Sequence, residues 1–224
     1  MKPEQIEDSR YKKEYFCTKK KEEEIMFSFL KNILKKNKGA IGISILDIGC
    51  GSGKITKKIK ALGCNVIGLD FSNEAVKKAK EIGIDAKICN LDEGICENEK
   101  KFDVVWAGDI IEHVFDPIGL LQESYRVLKE NGNILITIPS DVGLISRIKI
   151  LFGQSYQEPM YKSSGYYKHH TFFNIRLINL MLNKAGFEII ELKKLLIIYS
   201  SRINIANWMP SVFYNEMVIL AKKK

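Results

Sequence analysis

Hydrophobic positions change period repeatedly along this chain, and the changes divide it into elements. From residue 1 to 38, Tyr11, Tyr15, Phe16, Ile25, Phe27, Phe29, Leu30, Ile33 and Leu34 fall at helical spacing among charged neighbours. Gly39 to Ser44 ends that segment, and the short apolar run Ile45-Leu46-Asp47-Ile48 reads as a buried strand. Past a cluster of glycines, Ile55, Ile59 and Leu62 form one stripe, with Lys57, Lys58 and Lys60 on the other faces and Gly63 as the stop. Asn65 to Asp70 is a second strand. Ser72 then caps a helix whose inner positions are Ala75, Val76, Ala79 and Ile82, closed by Gly83. Strands follow at 85–91 and 102–107. Asp116 and Pro117 supply a capping carboxylate and a first-turn proline to a helix with Ile118, Leu121, Tyr125 and Leu128 on its buried face. Gly132 to Pro139 is a fifth strand.

Strands alternating with helices imply a parallel sheet covered on both faces. The last third breaks that alternation. It holds a short apolar segment (142–152), a loop rich in Tyr and Gly, a helix from Asn174 to Lys184 that ends at Gly186, and strand-like runs at 187–199 and 212–221. No repeat or low-complexity linker interrupts the chain, so the expectation is one domain over residues 1–224.

At 224 residues the chain is long enough for one substantial core. Its net charge of +8 raises the question of nucleic acid, but the lysines are spread along the chain and mixed with Glu, as in Lys19-Lys20-Lys21-Glu22-Glu23-Glu24. That pattern fits a solvated basic surface, and no DNA partner is expected. No apolar run reaches the roughly 18–20 residues of a membrane span, and residues 1–21 lack the apolar core of a signal peptide. The five cysteines, Cys17, Cys50, Cys64, Cys89 and Cys96, include no C-x-x-C pair; they read as reduced thiols in a cytoplasmic protein.

The stretch that carries chemistry is Asp47-Ile48-Gly49-Cys50-Gly51-Ser52-Gly53-Lys54. A strand-to-helix turn so rich in glycine lets backbone approach a ligand and aims helix N–H groups at it. A P-loop would need glycine where Ile48 stands and Ser or Thr where Ile55 stands. A dinucleotide fingerprint would need glycine in place of Lys54. What remains is Asp-x-Gly-x-Gly-x-Gly, with Asp70 closing the next strand about 20 residues on.

This pattern resembles motif I of the class I methyltransferases that use S-adenosylmethionine. The resemblance implies a Rossmann-like α/β fold with a seven-stranded, mostly parallel sheet, helices on both faces and an antiparallel last strand inserted beside the fifth. It also implies roles. Asp47, Gly49 and Gly51 would position the methionine end of the cofactor, and Asp70 the ribose hydroxyls. Phe71 would flank the adenine, whose amino group Asp92 would receive beside the Leu91 backbone. Ala107 and Gly108 would face the cofactor.

The run Glu112-His113-Val114-Phe115-Asp116-Pro117 is similar to one in members acting on small molecules, including quinone-biosynthesis and MetW-like enzymes. There His113 would look into the active site as general base, its ordinary pKa lying near neutrality; a histidine that only orients the loop is the open alternative. No metal is assigned, although Asp109, Glu112 and His113 have a spacing that could hold a divalent ion. Residues 1–38 are expected as a helical lid or a packing helix, 40–140 as the cofactor-binding core, 141–173 as an acceptor-side insertion and 174–222 as the C-terminal helix and hairpin. Within the insertion, Tyr156, Tyr161, Tyr166, Tyr167, Phe172 and Phe173 could line an acceptor pocket, with His169 and His170 adding polarity, or equally form a small core of the lid itself. The order Ile-Pro-Ser, a basic apolar helix, then His-x-Phe-Phe before a helix ending in Gly-Phe looks like methyltransferases of glycan and cell-surface biosynthesis. The apolar, basic segment 142–152 suits a packed lid helix or attachment at a lipid surface. The resulting expectation is methyl transfer from S-adenosylmethionine to an oxygen, or a nitrogen, of a small metabolite or glycan precursor. An RNA methyltransferase and a cofactor-binding, non-catalytic partner protein are the alternatives.

Overall fold

The computed structural model describes residues 20–140, 143–154, 169–198, 201–205 and 213–224. Helix α1 (Lys20–Lys36) leads into β1 (Ser44–Ile48), α2 (Lys54–Lys60), β2 (Asn65–Asp70), α3 (Asn73–Glu81), β3 (Asp85–Ile88) and β4 (Phe102–Gly108). A 3-10 turn (Ile111–His113) precedes α4 (Pro117–Val127), β5 (Leu128–Pro139), α5 (Leu144–Leu151), α6 (Ile175–Lys184), β6 (Phe187–Ile198), β7 (Ser201–Ile205) and β8 (Glu216–Lys223).

The strands form one sheet in the order β3-β2-β1-β4-β5-β8-β6-β7. The first five are parallel, and β8 runs antiparallel between β5 and β6. The expected seven strands are therefore present, in the expected arrangement. The eighth is the short β7, which pairs with β6 at the edge.

Strand periodicity assigns the two faces. On one side Val104, Trp106, Leu135, Val218 and Leu220 pack against Met26, Phe29, Leu30, Ile33 and Leu34 of α1. On the other, Val105, Ala107, Ile134, Ile136, Met217 and Ile219 pack against Leu120, Leu121 and Val127 of α4 and Ile178 and Leu182 of α6. Successive residues of a strand point to opposite faces, so near-continuous apolar strands such as β4 and β8 need cover on both sides.

Local chemistry sets the helix starts. Ser72 Oγ accepts from Ala75 N at 3.2 Å, Asp116 Oδ1 from Gly119 N at 2.9 Å, and Asn174 Oδ1 from Arg176 N and Leu177 N, both at 3.0 Å. At the foot of the sheet the buried Lys223 donates from Nζ to Tyr125 O at 3.1 Å and Leu128 O at 2.9 Å, with the Tyr125 ring 4.2 Å away.

Several boundaries differ from the sequence reading. Strand β3 ends at Ile88; Cys89 N still donates to Asp70 O, and the chain then turns away, with Glu93 N on Asn90 O. Ile82 is exposed at the C-cap of α3, one position past the helix that would have turned it inward. On α4, Ile118 and Tyr125 are half-buried, while Leu120, Ser124 and Val127 share the covered face with Leu121. Tyr11, Tyr15, Phe16, Tyr156, Tyr161, Tyr166 and Tyr167 lie outside the described residues.

Candidate active site

The candidate site is built where β1, β2 and β4 end together. The glycine loop leaves β1 with Gly49, Gly51 and Gly53 all in left-handed backbone, at φ 73°, 55° and 76°. At Gly49 a side chain is also excluded by space, since an added Cβ would stand 2.9 Å from Ile110 Cδ1. The loop is tied to the neighbouring strand, because Gly49 N and Cys50 N both donate to Leu69 O, at 2.8 and 2.9 Å. Gly68 makes room for the turn, as a Cβ there would lie 2.7 Å from Cys50 Sγ.

Asp70, buried at the end of β2, accepts from Gly51 N at 2.8 Å on Oδ2 and from Ser72 N at 2.9 Å on Oδ1. A carboxylate has acceptor capacity for about four hydrogen bonds, more than these two N–H groups take. Asp47, also buried, accepts from Thr56 Oγ1 at 2.5 Å. Burial pushes the Asp47 carboxyl up to about 7; the Thr56 hydrogen bond opposes the rise and the nearby Asp70 charge adds to it. Thr56 was not singled out from the sequence. Its place in the first turn of α2, three residues after Gly53, is the signal that it faces back toward the loop.

Phe71 and Leu91 follow the ends of the adjacent strands β2 and β3, with Phe71 half-buried and Leu91 buried. Asp92 is exposed, and its Oδ1 accepts from Phe115 N at 2.7 Å, linking that loop to the one after the 3-10 turn. Ala107 is buried and Gly108 half-buried at the end of β4; a Cβ on Gly108 would stand 3.2 Å from Trp106 Nε1.

The turn after β4 carries the titratable cluster. His113 is half-buried, its ring 5.1 Å from that of His169 in an edge-on arrangement. Glu112 is 1% exposed, and its carbonyl accepts from His170 N at 2.8 Å, so the returning end of the insertion is pinned to this turn. Ligand atoms of Glu112, His113 and His169 all lie within 4.8 Å of one another. The spacing read from the sequence had Asp109 in this group. Instead Asp109 Oδ1 accepts from Thr137 Oγ1 at 3.1 Å, and His169, 56 positions along from His113, takes its place. Phe173 belongs to the core and not to a pocket, while Phe172 is half-buried. A groove lined by Lys60, Asn65, Lys101 and Phe102 opens at the opposite ends of the strands and contains none of these residues.

Ligands in open parallel sheets sit beyond the carboxyl ends of the strands, where the glycine turn and acids are found here. A glycine cradle with a buried acid one strand over suits an adenosine-bearing cofactor. Comparison with known proteins agrees. Residues 18–192 match the family model described as a methyltransferase domain, and the chain belongs to that family. The human mitochondrial ubiquinone biosynthesis O-methyltransferase is 34% identical over 126 residues, covering 52% of this chain and 34% of that protein. The ubiquinone biosynthesis O-methyltransferase of Pelagibacter ubique is 34% identical over 110 residues, covering 46% and 45%. The chain thus spans less than half the length of these relatives. Among solved structures, a methyltransferase of Thermotoga maritima described as a possible histamine N-methyltransferase aligns with TM-score 0.62 and 23% identity, over 81% of this chain and 82% of that one. The magnesium protoporphyrin IX methyltransferase of Synechocystis, solved with S-adenosylhomocysteine bound, aligns with TM-score 0.63 and 14% identity over 90% and 83%. These establish the fold as that of the S-adenosylmethionine-dependent methyltransferases.

Proposed function

We propose that this chain transfers a methyl group from S-adenosylmethionine to a hydroxyl oxygen of a small metabolite. The observation that carries the reading is the joining of the glycine loop to Asp70 through the Gly51 N–H, which makes a backbone cradle and a ribose-binding acid one unit. The names of the relatives, O-methyltransferases of ubiquinone biosynthesis, direct attention to ring hydroxyls of aromatic acceptors. Free thiols at Cys50, Cys64, Cys89 and Cys96 suit a reducing, cytoplasmic setting.

The sulfonium of the cofactor supplies a methyl group already activated for displacement. The chain's own work is then to hold and to deprotonate. Asp70 would hold the ribose, the Gly49–Gly53 turn the methionine end, and Phe71, Leu91 and Asp92 the adenine. Fixing the acceptor oxygen in line can contribute roughly 7–11 kcal/mol. His113, beside His169 at the end of β4, would take the hydroxyl proton as the new O–C bond forms. A second arrangement is favoured by the grouping of Glu112, His113 and His169. One carboxylate and two imidazoles suit a first-row divalent cation that would polarise the acceptor oxygen.

The test is calorimetric titration with S-adenosylmethionine, followed by labelled-methyl transfer to a panel of phenols, catechols and amines. Cofactor binding with transfer to a phenol or catechol is expected. A folded chain that binds no cofactor would overturn the reading.

A further inference from the structure

Helix α5 leaves the sheet on the rim of the candidate site. It starts at Gly143, just after Ser140, whose N–H donates to Asn215 O at 3.0 Å where β5 and β8 meet. Thr137, three residues before Ser140, pairs with Gly108 and holds Asp109 ahead of the turn that carries His113.

The helix shows solvent an apolar surface. Leu144, Ile148, Leu151 and Phe152 recur at spacings of four, three and one and fall on one stripe. Leu151 is 81% and Phe152 78% exposed, and Leu144, Ile148 and Ile150 are exposed with them. At roughly 100° per residue, Arg147 and Lys149 lie to either side of that stripe, and both are exposed. Residues 143–154 contain no Asp or Glu.

We infer that α5 docks this chain on an anionic bilayer surface, apolar stripe down and cations among the lipid headgroups, with the acceptor side of the site turned toward the membrane. An apolar stripe bordered by Lys and Arg is the pattern of helices that lie in a bilayer interface. Eight residues offer far less area than the roughly 1,200 Å² at which stable protein interfaces begin. The charge complement is a negative surface, matched by the +8 of the chain as a whole. The acceptor, on this inference, is amphiphilic. That last step rests on the methyl-transfer reading; the docking itself does not.

Co-sedimentation with extruded vesicles tests it, using equal parts phosphatidylcholine and phosphatidylglycerol against phosphatidylcholine alone. The wild type should pellet with the anionic vesicles and be released by salt. Leu151→Glu/Phe152→Glu should weaken binding about tenfold or more, and Lys149→Gln about fivefold. Both changes are at exposed positions, so melting temperature and cofactor titration should match wild type. Wild type left in the supernatant would overturn the docking, as would a double variant that binds as well as wild type. A concentration-dependent dimer lost in the double variant, without vesicle binding, would also overturn it and make the stripe a contact between copies of this chain. Vesicle binding is measured without cofactor, so its failure leaves the proposed methyl transfer standing, and failed cofactor binding leaves the docking result standing.

Discussion

The Gly51 N–H and the Asp70 carboxylate are joined at 2.8 Å across 19 positions of sequence. The bond locks the glycine turn to the end of β2, and its acceptor is the residue expected to hold the ribose. Asp70→Ala removes a charged acceptor from two N–H donors and from the ligand. A hydrogen bond to a charged group is worth about 1.5–3 kcal/mol, so calorimetry should show S-adenosylmethionine affinity lowered about 10- to 100-fold or beyond. Asp70→Asn keeps one acceptor oxygen and should fall between.

Asp47 gives a pH signature. Its carboxyl is raised by burial to about 7, so the folded chain holds a proton that the unfolded chain releases near 3.8. The folded state binds more protons across that window, and stability therefore falls as pH rises from about 4 to about 7. The upper bound of this loss is about 4 kcal/mol. Melting curves of wild type and Asp47→Asn should diverge over the window, with the variant gaining as pH increases. The positive charges of S-adenosylmethionine favour the ionised carboxylate, so its affinity should climb through pH 7 in wild type and stay flat in Asp47→Asn.

Gly49→Ala combines a left-handed backbone with a 2.9 Å approach to Ile110 Cδ1. The backbone term alone costs about 1–2 kcal/mol. Denaturant titration should show at least that loss, with weaker cofactor binding. Gly49→Ala/Ile110→Ala should recover cofactor binding in part, because it relieves the contact but not the φ.

His113→Ala should lower kcat about 10²- to 10⁴-fold, with the cofactor dissociation constant unchanged. If imidazole is the base, wild type dialysed against a chelator keeps its rate. A rate lost to chelation and restored by a divalent cation would assign Glu112, His113 and His169 to a metal instead.

The parts of this site that were legible in the sequence are those set by local geometry. Gly49, Gly51 and Gly53 announce a turn, Asp70 stands at a strand end, and Asp116-Pro117 opens a helix, each within a few residues of its cause. What was not legible depends on distant pieces of chain meeting. His169 joins His113 only because the insertion returns to the 3-10 turn through His170 N and Glu112 O. The fate of Asp109 was hidden for the same reason, since Thr137 on the neighbouring strand takes its carboxylate. The early end of β3 was hidden because apolar Leu91 serves the core from a loop, which periodicity cannot separate from a strand.

Lys223 is 4% exposed, and its ammonium serves the carbonyls at the end of α4 and the start of β5. Lys223→Met keeps the stem and removes the donors, leaving two carbonyls without this partner. A loss of about 2–4 kcal/mol is expected from denaturant titration, with cofactor affinity unchanged because the site lies at the other end of the sheet.

The place of β8 between β5 and β6 bears on how the molecule is made. A ribosome delivers β5 long before residues 216–223, and until they emerge β5 has one bare edge and β6 no neighbour on its inner side. The nascent chain must carry that open, apolar edge from Pro139 until Glu216 is made, which is when chaperone capture or sticking to another nascent chain is easiest. A premature stop ahead of Glu216 would leave the glycine loop, Asp47, Asp70 and His113 all translated, yet on five strands whose last, β5, has no partner on its outer edge.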